Sequence, residues 1–141
     1  MSDEAGTAGD TRTMREWMRA GDDYQADDPE IAADARRRAD LQHRINALHP
    51  TQDAERRALF TELLGAFGDG ADIRPPFYCD LGYQTRIGAR SFVNYGPQSA
   101  DVATITIGEN TVVGAGSVVV RDLPANVIAV GNPARVVRTL D

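Results

Sequence analysis

The most constraining feature of this sequence is a six-residue step between positions 105 and 137. Ile107-Gly108 and Val113-Gly114 each open a unit in which two free positions and then a small residue follow, Thr111 in one unit and Ser117 in the next. A helix would need apolar residues at steps of three and four, and a simple strand would need alternation. A sustained step of six predicts a parallel β-helix, in which each short strand sends one side chain into a narrow prism.

The step extends toward the N-terminus as a repeat of 20 residues. The inward candidates follow one another at steps of six, six and eight residues: Ile73, Cys79, Ile87, Val93, Ser99, Ile107, Val113, Val119 and Val127. This spacing aligns Ile87, Ile107 and Val127, and two residues earlier it aligns Thr85, Ile105 and Ala125. We therefore predict three triangular coils, each with one corner lengthened by two residues. The ends of so short a prism are strand edges that something must cover.

Helix-forming sequence precedes the repeat. Thr13 and Glu16 form a capping-box pair that predicts a first helix ending at Gly21, with Met14, Trp17 and Met18 on one face. A second helix is predicted from Asp28-Pro29 to about Ala47, with a thin apolar stripe: Ile31, Ala35, Leu41, Ile45 and Leu48. Thr51 is predicted to cap a third helix with a buried stripe: Leu59, Phe60, Leu63, Leu64 and Phe67.

The composition changes after residue 70, where β-branched residues and glycine replace helix formers. We predict a disordered tail over 1–12, a helical cap over 13–70, and a hexapeptide-repeat β-helix with a C-terminal extension over 71–141. Pro75-Pro76 forces extended backbone at the junction. The predicted fold class is mainly β with an α cap: a left-handed parallel β-helix of about three coils behind an N-terminal helical subdomain.

Charge and cysteine content exclude several function classes. The 141 residues carry a net charge of -6, and all 15 basic residues are arginine, which argues against a nucleic-acid or anionic-membrane partner. The acidic start of the chain lacks the pattern of a secretory signal, and a lone Cys79 suits a reducing compartment. We therefore expect a cytoplasmic protein, with Cys79 as a core residue rather than a nucleophile.

Two polar segments of the cap have plain structural explanations. The carboxylates between Asp22 and Asp28 could suggest a metal loop, but Asp28 before Pro29 is a helix N-cap and first turn. His43 and His49 are six residues apart, which places them on different faces of a helix and disfavours a shared metal.

The motifs of the chain, in their order, resemble those of the maltose and galactoside O-acetyltransferases, a family of hexapeptide-repeat acyltransferases that includes nodulation sugar acetyltransferases. The matching motifs are Ala20-Gly21 with Tyr24, Asp28-Pro29-Glu30, Pro75-Pro76-Phe77-x-Cys79-Asp80-x-Gly82-Tyr83, Ile87-Gly88, Asn94-Tyr95, Asp101-Val102-Ala103, Gly114-Ala115-Gly116-Ser117-Val118-Val119, Asp122-x-Pro124-Ala125-Asn126 and Gly131-Asn132-Pro133-Ala134-Arg135-Val136.

The resemblance implies transfer of an acetyl group from acetyl-CoA, the co-substrate, to a hydroxyl of a sugar or glycoside. In the family a histidine is the general base and a backbone N–H stabilises the oxyanion. The site lies between neighbouring subunits of a trimer, so the resemblance also implies a homotrimer.

The resemblance assigns roles to nine positions. Three match residues that contact the acceptor or the thioester region: Asp80, Asn94 and Asp101. Six match residues that line CoA: Ala115, Ser117, Val120, Arg121, Arg135 and Arg138. The structural alternative for Asp80 and Asp101 is turn formation at the prism corners, a position that also accepts Asn94. For the arginines the alternative is exposed, solubilising charge.

One part of the family pattern is missing. A single Ile107-Gly108-Glu109-Asn110 stands where the family has an early and a late copy of this motif, so that roughly three coils and the catalytic histidine segment are absent. No histidine follows His49. An aspartate such as Asp101 would be a poor substitute base if solvated, because its pKa would lie near 4. His43 or His49 would have to reach the cleft from a neighbouring subunit.

Two functional readings follow, and neither assigns a catalytic residue. The first is a sugar O-acetyltransferase homologue with impaired or lost activity. The second is a non-catalytic remnant that binds CoA or serves as an oligomerisation partner. A gene deletion or a sequencing error is a third explanation of the shortened chain.

Overall fold

Three helices precede the repeat in the computed structural model, which describes residues 9–141. They are α1 (Met14–Ala20), α2 (Pro29–Asn46) and α3 (Asp53–Leu63). The first eight residues of the predicted tail lie outside the described residues.

The predicted ends of α1 and the predicted start of α2 are confirmed. The Thr13 hydroxyl accepts the Glu16 N–H at 3.2 Å, and the Glu16 carboxylate accepts the Thr13 N–H at 2.7 Å. Gly21 ends α1 with a left-handed φ of 82°. Asp28 accepts N–H groups of the first turn of α2, in which Pro29 occupies the first position.

The prediction for the third helix was wrong at both ends. Gln52 occupies the N-cap position, and the Thr51 hydroxyl instead contacts Nδ1 of His49 at 2.8 Å. The helix ends at Leu63, whereas Phe67 lies in a strand and packs against the core from there. Apolar spacing alone does not separate the last turn of a helix from a strand that packs on the same core.

Eleven short strands follow, and the first ten wind around the prism. They are β1 (Ala66–Phe67), β2 (Asp72–Ile73), β3 (Tyr78–Cys79), β4 (Thr85–Ile87), β5 (Phe92–Val93), β6 (Gln98–Ser99), β7 (Ile105–Ile107), β8 (Val112–Val113), β9 (Val118–Val119), β10 (Val127–Val130) and β11 (Arg135–Thr139). Three sheets form its sides: β1-β4-β7 (sheet A), β11-β10-β8-β5-β2 (sheet B) and β3-β6-β9 (sheet C). This is the predicted left-handed β-helix of about three turns.

The 20-residue register is confirmed through the first three coils. Ile87 pairs with Ile107, Val93 with Val113, and Ser99 with Val119, all in parallel. All nine predicted inward residues are buried. The coil that contains the single Ile-Gly-Glu-Asn motif thus stacks in register with the coils before it.

The register breaks in the final turn, where the prediction was wrong. Ile107 bridges Leu123, 16 residues on, instead of Val127, and Ala125 is exposed. Val119 and Leu123 are four residues apart, so this turn lacks the long corner of the earlier coils. The Asp122 carboxylate accepts the Thr106 N–H at 2.7 Å and replaces a backbone acceptor at that corner. Beyond it β11 turns back antiparallel to β10.

Side chains of the helical cap satisfy the open edge of the first coil. Asn46 accepts the Phe77 N–H at 2.9 Å and donates to the Phe77 carbonyl at 3.0 Å, as a neighbouring strand would. One turn earlier on α2, Gln42 accepts the Cys79 N–H at 3.1 Å. Arg57 of α3 donates to the carbonyls of Gly68 and Ala71. The cap therefore both covers the end of the prism and pairs its backbone groups.

Aromatic packing joins the cap to the prism. Phe60 of α3 is fully buried, and its ring centroid lies 5.6 Å from that of Phe67 and 5.4 Å from that of Phe77. The contact with Phe77 is edge-to-face, a favoured arrangement of aromatic rings. The cap and the first coil thus share one hydrophobic core.

No helix among the described residues is long and apolar enough to cross a membrane.

We expect the substitution Asn46→Ala to lower the free energy of unfolding by about 2 to 4 kcal/mol, because it removes two hydrogen bonds to the backbone of Phe77. Alanine favours a helix more than asparagine does, so helix propensity opposes this effect. Urea unfolding followed by circular dichroism measures the change. Gln25→Ala, at an exposed amide, is the control and should change stability by a few tenths of a kcal/mol. Equal stability of the two variants would contradict the edge-pairing role.

Candidate functional site

Asp80 lies in a shallow groove on sheet C. It follows β3, at the corner where Ala100 and Val120 follow the equivalent strands β6 and β9. Tyr78 and Gln98 line the same groove. The Asp80 side chain makes no hydrogen bond or ion pair among the described residues. Partial burial, and secondarily the nearby Asp101 carboxylate, raise its pKa. A carboxylate with free oxygens beside a tyrosine can accept hydrogen bonds from hydroxyl groups of a ligand.

The side chain of Asp101 is in a different environment from that of Asp80, although the family resemblance assigns both residues to the acceptor or thioester region. Its side chain is fully buried. The carboxylate accepts three backbone N–H groups of the coil below, from Asp80 at 3.0 Å, Leu81 at 2.8 Å and Gly82 at 2.8 Å. These contacts favour the turn-forming alternative for Asp101. The prediction that Asp101 would be a poor substitute base assumed a solvated carboxylate. In the structure the carboxylate is buried and already hydrogen-bonded.

Asn94 lies at the corner between sheet B and sheet C, before β6 of sheet C. It follows β5 and is half-buried, and its side-chain oxygen accepts the N–H of Tyr95 at 2.8 Å. Ala100 stacks above Asp80 and is six residues along the chain from Asn94, so at about 3.3 Å per residue Ala100 and Asn94 are at most about 20 Å apart. Asp80 and Asn94 follow strands of different sides of the prism, sheet C and sheet B.

Cys79 is a core residue, as predicted. Its thiol is buried and forms no disulfide. Burial, and to a smaller extent the nearby Asp101 carboxylate, raise the pKa of the thiol well above its usual range. A thiol that stays protonated is a poor nucleophile.

Two of the predicted CoA-lining arginines share a groove near the C-terminus. Arg121 and Arg135 line it together with Pro124, Pro133 and Val136, in a volume of about 210 Å³. Both arginines are exposed and form no ion pair among the described residues. Two free guanidinium groups beside apolar walls can bind phosphate groups.

The other predicted CoA-lining residues lie outside this groove. Ala115 is exposed at the turn after β8, and Val120 is exposed beside Arg121. Ser117 is fully buried, and its hydroxyl accepts the Gly131 N–H at 3.1 Å, so it holds the C-terminal segment to the last coil. Arg138 lies on β11 and pairs with Ile128.

Neither histidine lies on the prism. His43 is an exposed residue of α2, and His49 lies in the loop between α2 and α3. Among residues 9–141 no cluster of three or more histidine, cysteine or acidic side chains could hold a metal ion.

Comparison with known proteins identifies the family. The maltose acetyltransferase hexapeptide capping motif matches residues 18–68, which include most of the three helices and β1. Nodulation protein L of Rhizobium leguminosarum bv. viciae is 43% identical over 104 residues, which are 74% of this chain and 55% of that protein. Galactoside O-acetyltransferase of Escherichia coli K12 is 24% identical over 155 residues, with 72% of this chain and 76% of that protein covered. This confirms the resemblance to the maltose and galactoside O-acetyltransferase family.

Solved structures agree with this family. The hexapeptide-repeat acetyltransferase VCA0836 of Vibrio cholerae, crystallised with acetyl-CoA, has a TM-score of 0.66 and 27% identity, covering 92% of this chain and 100% of that chain. A galactoside acetyltransferase in complex with coenzyme A has a TM-score of 0.71 at 24% identity, with 92% of each chain covered, and it supports the fold alone.

The chain spans little more than half the length of two curated relatives that it matches, 55% and 57% of two nodulation L proteins. The alignment with the E. coli family member runs over 155 positions, although 72% of this 141-residue chain is only about 100 residues. Roughly 50 positions of that relative therefore face gaps in this chain. Three coils of three hexapeptides would account for about this number, as the single Ile-Gly-Glu-Asn motif predicted.

Sequence reasoning missed the groove neighbours of the predicted residues. Tyr78 and Gln98 share the groove of Asp80, and Asp22 and Tyr24 of the α1–α2 loop line the next groove along the same corner. The 20-residue register could have placed Gln98 over Tyr78, because both point outward one residue before an inward position.

We expect Asp101→Asn to destabilise the protein by about 2 to 4 kcal/mol, since an amide group has one acceptor atom for three N–H donors and turns its own donor toward them. Thermal and urea unfolding measure the effect. The matched control is Asp80→Asn, whose side chain has no partner to lose and should remain within a few tenths of a kcal/mol of the parent protein. A stable Asp101→Asn protein would contradict the structural role.

Proposed function

We propose that this protein is an acetyl-CoA-dependent sugar O-acetyltransferase homologue whose activity is impaired or lost. The observation that carries this proposal is the retention of the cap, the Asp80 corner and the C-terminal arginine groove around an internal gap of about 50 positions. The family resemblance locates the catalytic histidine in coils that this chain lacks, and no histidine follows His49. The groups that bind substrates would thus be kept while the group that moves the proton is missing.

In this proposal the C-terminal groove binds the phosphate-bearing part of CoA. Arg121 and Arg135 both have free donors there, and Arg138, Ala115, Ser117 and Val120 complete the matching CoA-lining stretch. The thioester would supply the acetyl group to an acceptor hydroxyl. The Vibrio cholerae acetyltransferase crystallised with acetyl-CoA, 27% identical to this chain, supports acetyl-CoA as the co-substrate.

The acceptor would bind at the corner after β3 and at the corner after β5. Asp80 has two free carboxylate oxygens, and Asn94 has a free amide N–H₂ group, and both suit sugar hydroxyl groups. Asp101 supports this site indirectly, because its carboxylate fixes the backbone of residues 80–82. Asp80 and Asn94 follow strands of different sheets, so we propose a site that takes Asp80 from one subunit and Asn94 from its neighbour, as the family resemblance implies. The family resemblance supports a homotrimer with the site between subunits.

Removal of the proton from the acceptor hydroxyl is the step for which the described residues of this chain include no well-placed group. A base must lie within hydrogen-bond reach of the hydroxyl that it deprotonates. Of the two predicted acceptor-site carboxylates, Asp101 is already occupied by backbone donors, and Asp80 is exposed in the single chain. His43 and His49 lie on the cap.

We further propose that the protein acts in the cytoplasm, where acetyl-CoA is made and used.

The alternative is a non-catalytic remnant that binds CoA or assembles with longer relatives. The in-register stacking of the first three coils favours this alternative, since those coils keep the spacing that an intact relative would present to a partner. Mixed trimers with a longer relative, found by co-purification and native mass spectrometry, would support it.

We expect isothermal titration calorimetry to detect CoA binding, and acetyl transfer to a panel of neutral sugars to be at least about a hundredfold slower than by a longer relative, because general base catalysis contributes 10² or more. Release of the CoA thiol measures transfer. Turnover equal to that of the relative would contradict the loss of activity.

The double variant Arg121→Gln, Arg135→Gln should bind CoA at least about tenfold more weakly, since each arginine offers charge-assisted hydrogen bonds. Arg90→Gln is the matched control, because Arg90 is exposed and paired with Glu109 away from the groove. If both proteins bind CoA equally, the groove is not its site.

A further inference from the structure

A groove that the proposed function does not use lies between the α2–α3 loop and the first two coils. His49, Arg74 and Tyr95 contribute polar side chains to its lining, and Leu48 and Pro76 contribute apolar walls. Its volume is about 190 Å³, which suits a small molecule or one group of a larger one. None of its polar residues belongs to the positions that the family resemblance assigns to acceptor or CoA.

The geometry of the α2–α3 loop fixes the role of His49. The Thr51 N–H donates to His49 Nδ1 at 3.3 Å, and the Thr51 hydroxyl lies 2.8 Å from the same atom. Because Nδ1 accepts a backbone N–H, the proton of the neutral ring is on Nε2. Nε2 has no partner among the described residues, so His49 offers the groove a donor rather than a base.

Arg74 and Tyr95 add further free donors. The Arg74 guanidinium makes no hydrogen bond among residues 9–141, and its one ionic contact, to Asp72, is long at 3.7 Å. It is held over the ring of Phe92, 5.9 Å from the centroid. Tyr95 is 58% exposed, and its hydroxyl has no partner in the described part of the chain.

Negatively charged acceptors are missing from the described residues of the same surface. No carboxylate belongs to the described residues that line the groove. Asp72 is 3.7 Å from the Arg74 guanidinium, but it is closer to the buried guanidinium of Arg56, at 3.3 Å, which Asp53 also contacts at 2.9 Å. A local surplus of donors therefore occurs in a chain whose net charge is -6.

We propose that this groove binds a small organic anion, with a carboxylate or phosphate monoester group between Arg74, His49 and Tyr95 and an apolar body against Leu48 and the prolines. Guanidinium, imidazole N–H and phenol hydroxyl groups are all donors to such an anion, and the anion supplies the acceptors that the groove lacks. The apolar walls favour an organic anion over inorganic phosphate, because they add contact area for a hydrocarbon body.

The test is a titration of the full chain, labelled with ¹⁵N, followed by NMR. The probes are benzoate and phenyl phosphate as organic anions, inorganic phosphate as a bare anion and benzyl alcohol as a neutral analogue. We expect saturable shifts of the amides of His49, Thr51 and Tyr95 with at least one organic anion, and weaker binding of the other two probes. Of benzoate and phenyl phosphate, the one that saturates the shifts at the lower concentration shows whether carboxylate or phosphate is the preferred group.

Variants locate the site. Arg74→Gln and His49→Phe should each weaken binding of the preferred anion about tenfold. The first variant loses a charge-assisted hydrogen bond, and the second loses the hydrogen bond of the imidazole ring. The matched control Arg90→Gln should bind it as the parent protein does. Unchanged thermal unfolding of each variant shows that the fold is retained. Equal binding of benzyl alcohol, retained affinity in Arg74→Gln, or no saturation with either organic anion by about 10 mM overturns the proposal.

Discussion

The satisfaction of the backbone edge at the start of the prism is the constraint on which the rest of the structure depends. A parallel coil leaves a row of N–H and C=O groups unpaired on its first strands, and unpaired buried groups are costly. Here the amide of Asn46 reproduces both hydrogen bonds of a missing strand at Phe77, and Arg57 provides donors for two carbonyls of the first coil. The helical cap is thus part of the hydrogen-bond pattern of the β-helix, and the family model that matches residues 18–68 is aptly described as a capping motif.

The same principle operates between coils and at the far end. The buried carboxylate of Asp101 pairs three N–H groups at the long corner, and Asp122 replaces a backbone acceptor where the last coil lacks that corner. Ser117 holds the C-terminal segment through Gly131. Two of the residues that the family resemblance assigns to ligands, Asp101 and Ser117, therefore make contacts that hold the fold.

The sequence predicted the repeating part of this fold well, because a fixed step of inward residues reflects the geometry of stacked coils. It predicted the ends poorly. Leu123 replaces Val127 opposite Ile107, because the final turn has no further coil to match and takes a shorter path. The apolar spacing predicts that Phe67 belongs to α3, whereas it lies in β1, because a buried position in a helix and one in a strand have the same apolar character. Contacts such as those of Asn46 and Asp101 join residues 31 and about 20 positions apart, and no local pattern indicates them.

The uninterrupted register between Ile87 and Ile107 also has a consequence for distances along the prism axis. Each coil adds about 4.8 Å, so three additional coils would separate the Asp80 corner from the Arg121 groove by about 14 Å more. The prism therefore acts as a spacer whose length changes in whole coils without disturbing the core. In this chain the spacer is short, and a cofactor bound at the C-terminal arginines would extend closer to the helical cap than in a longer relative.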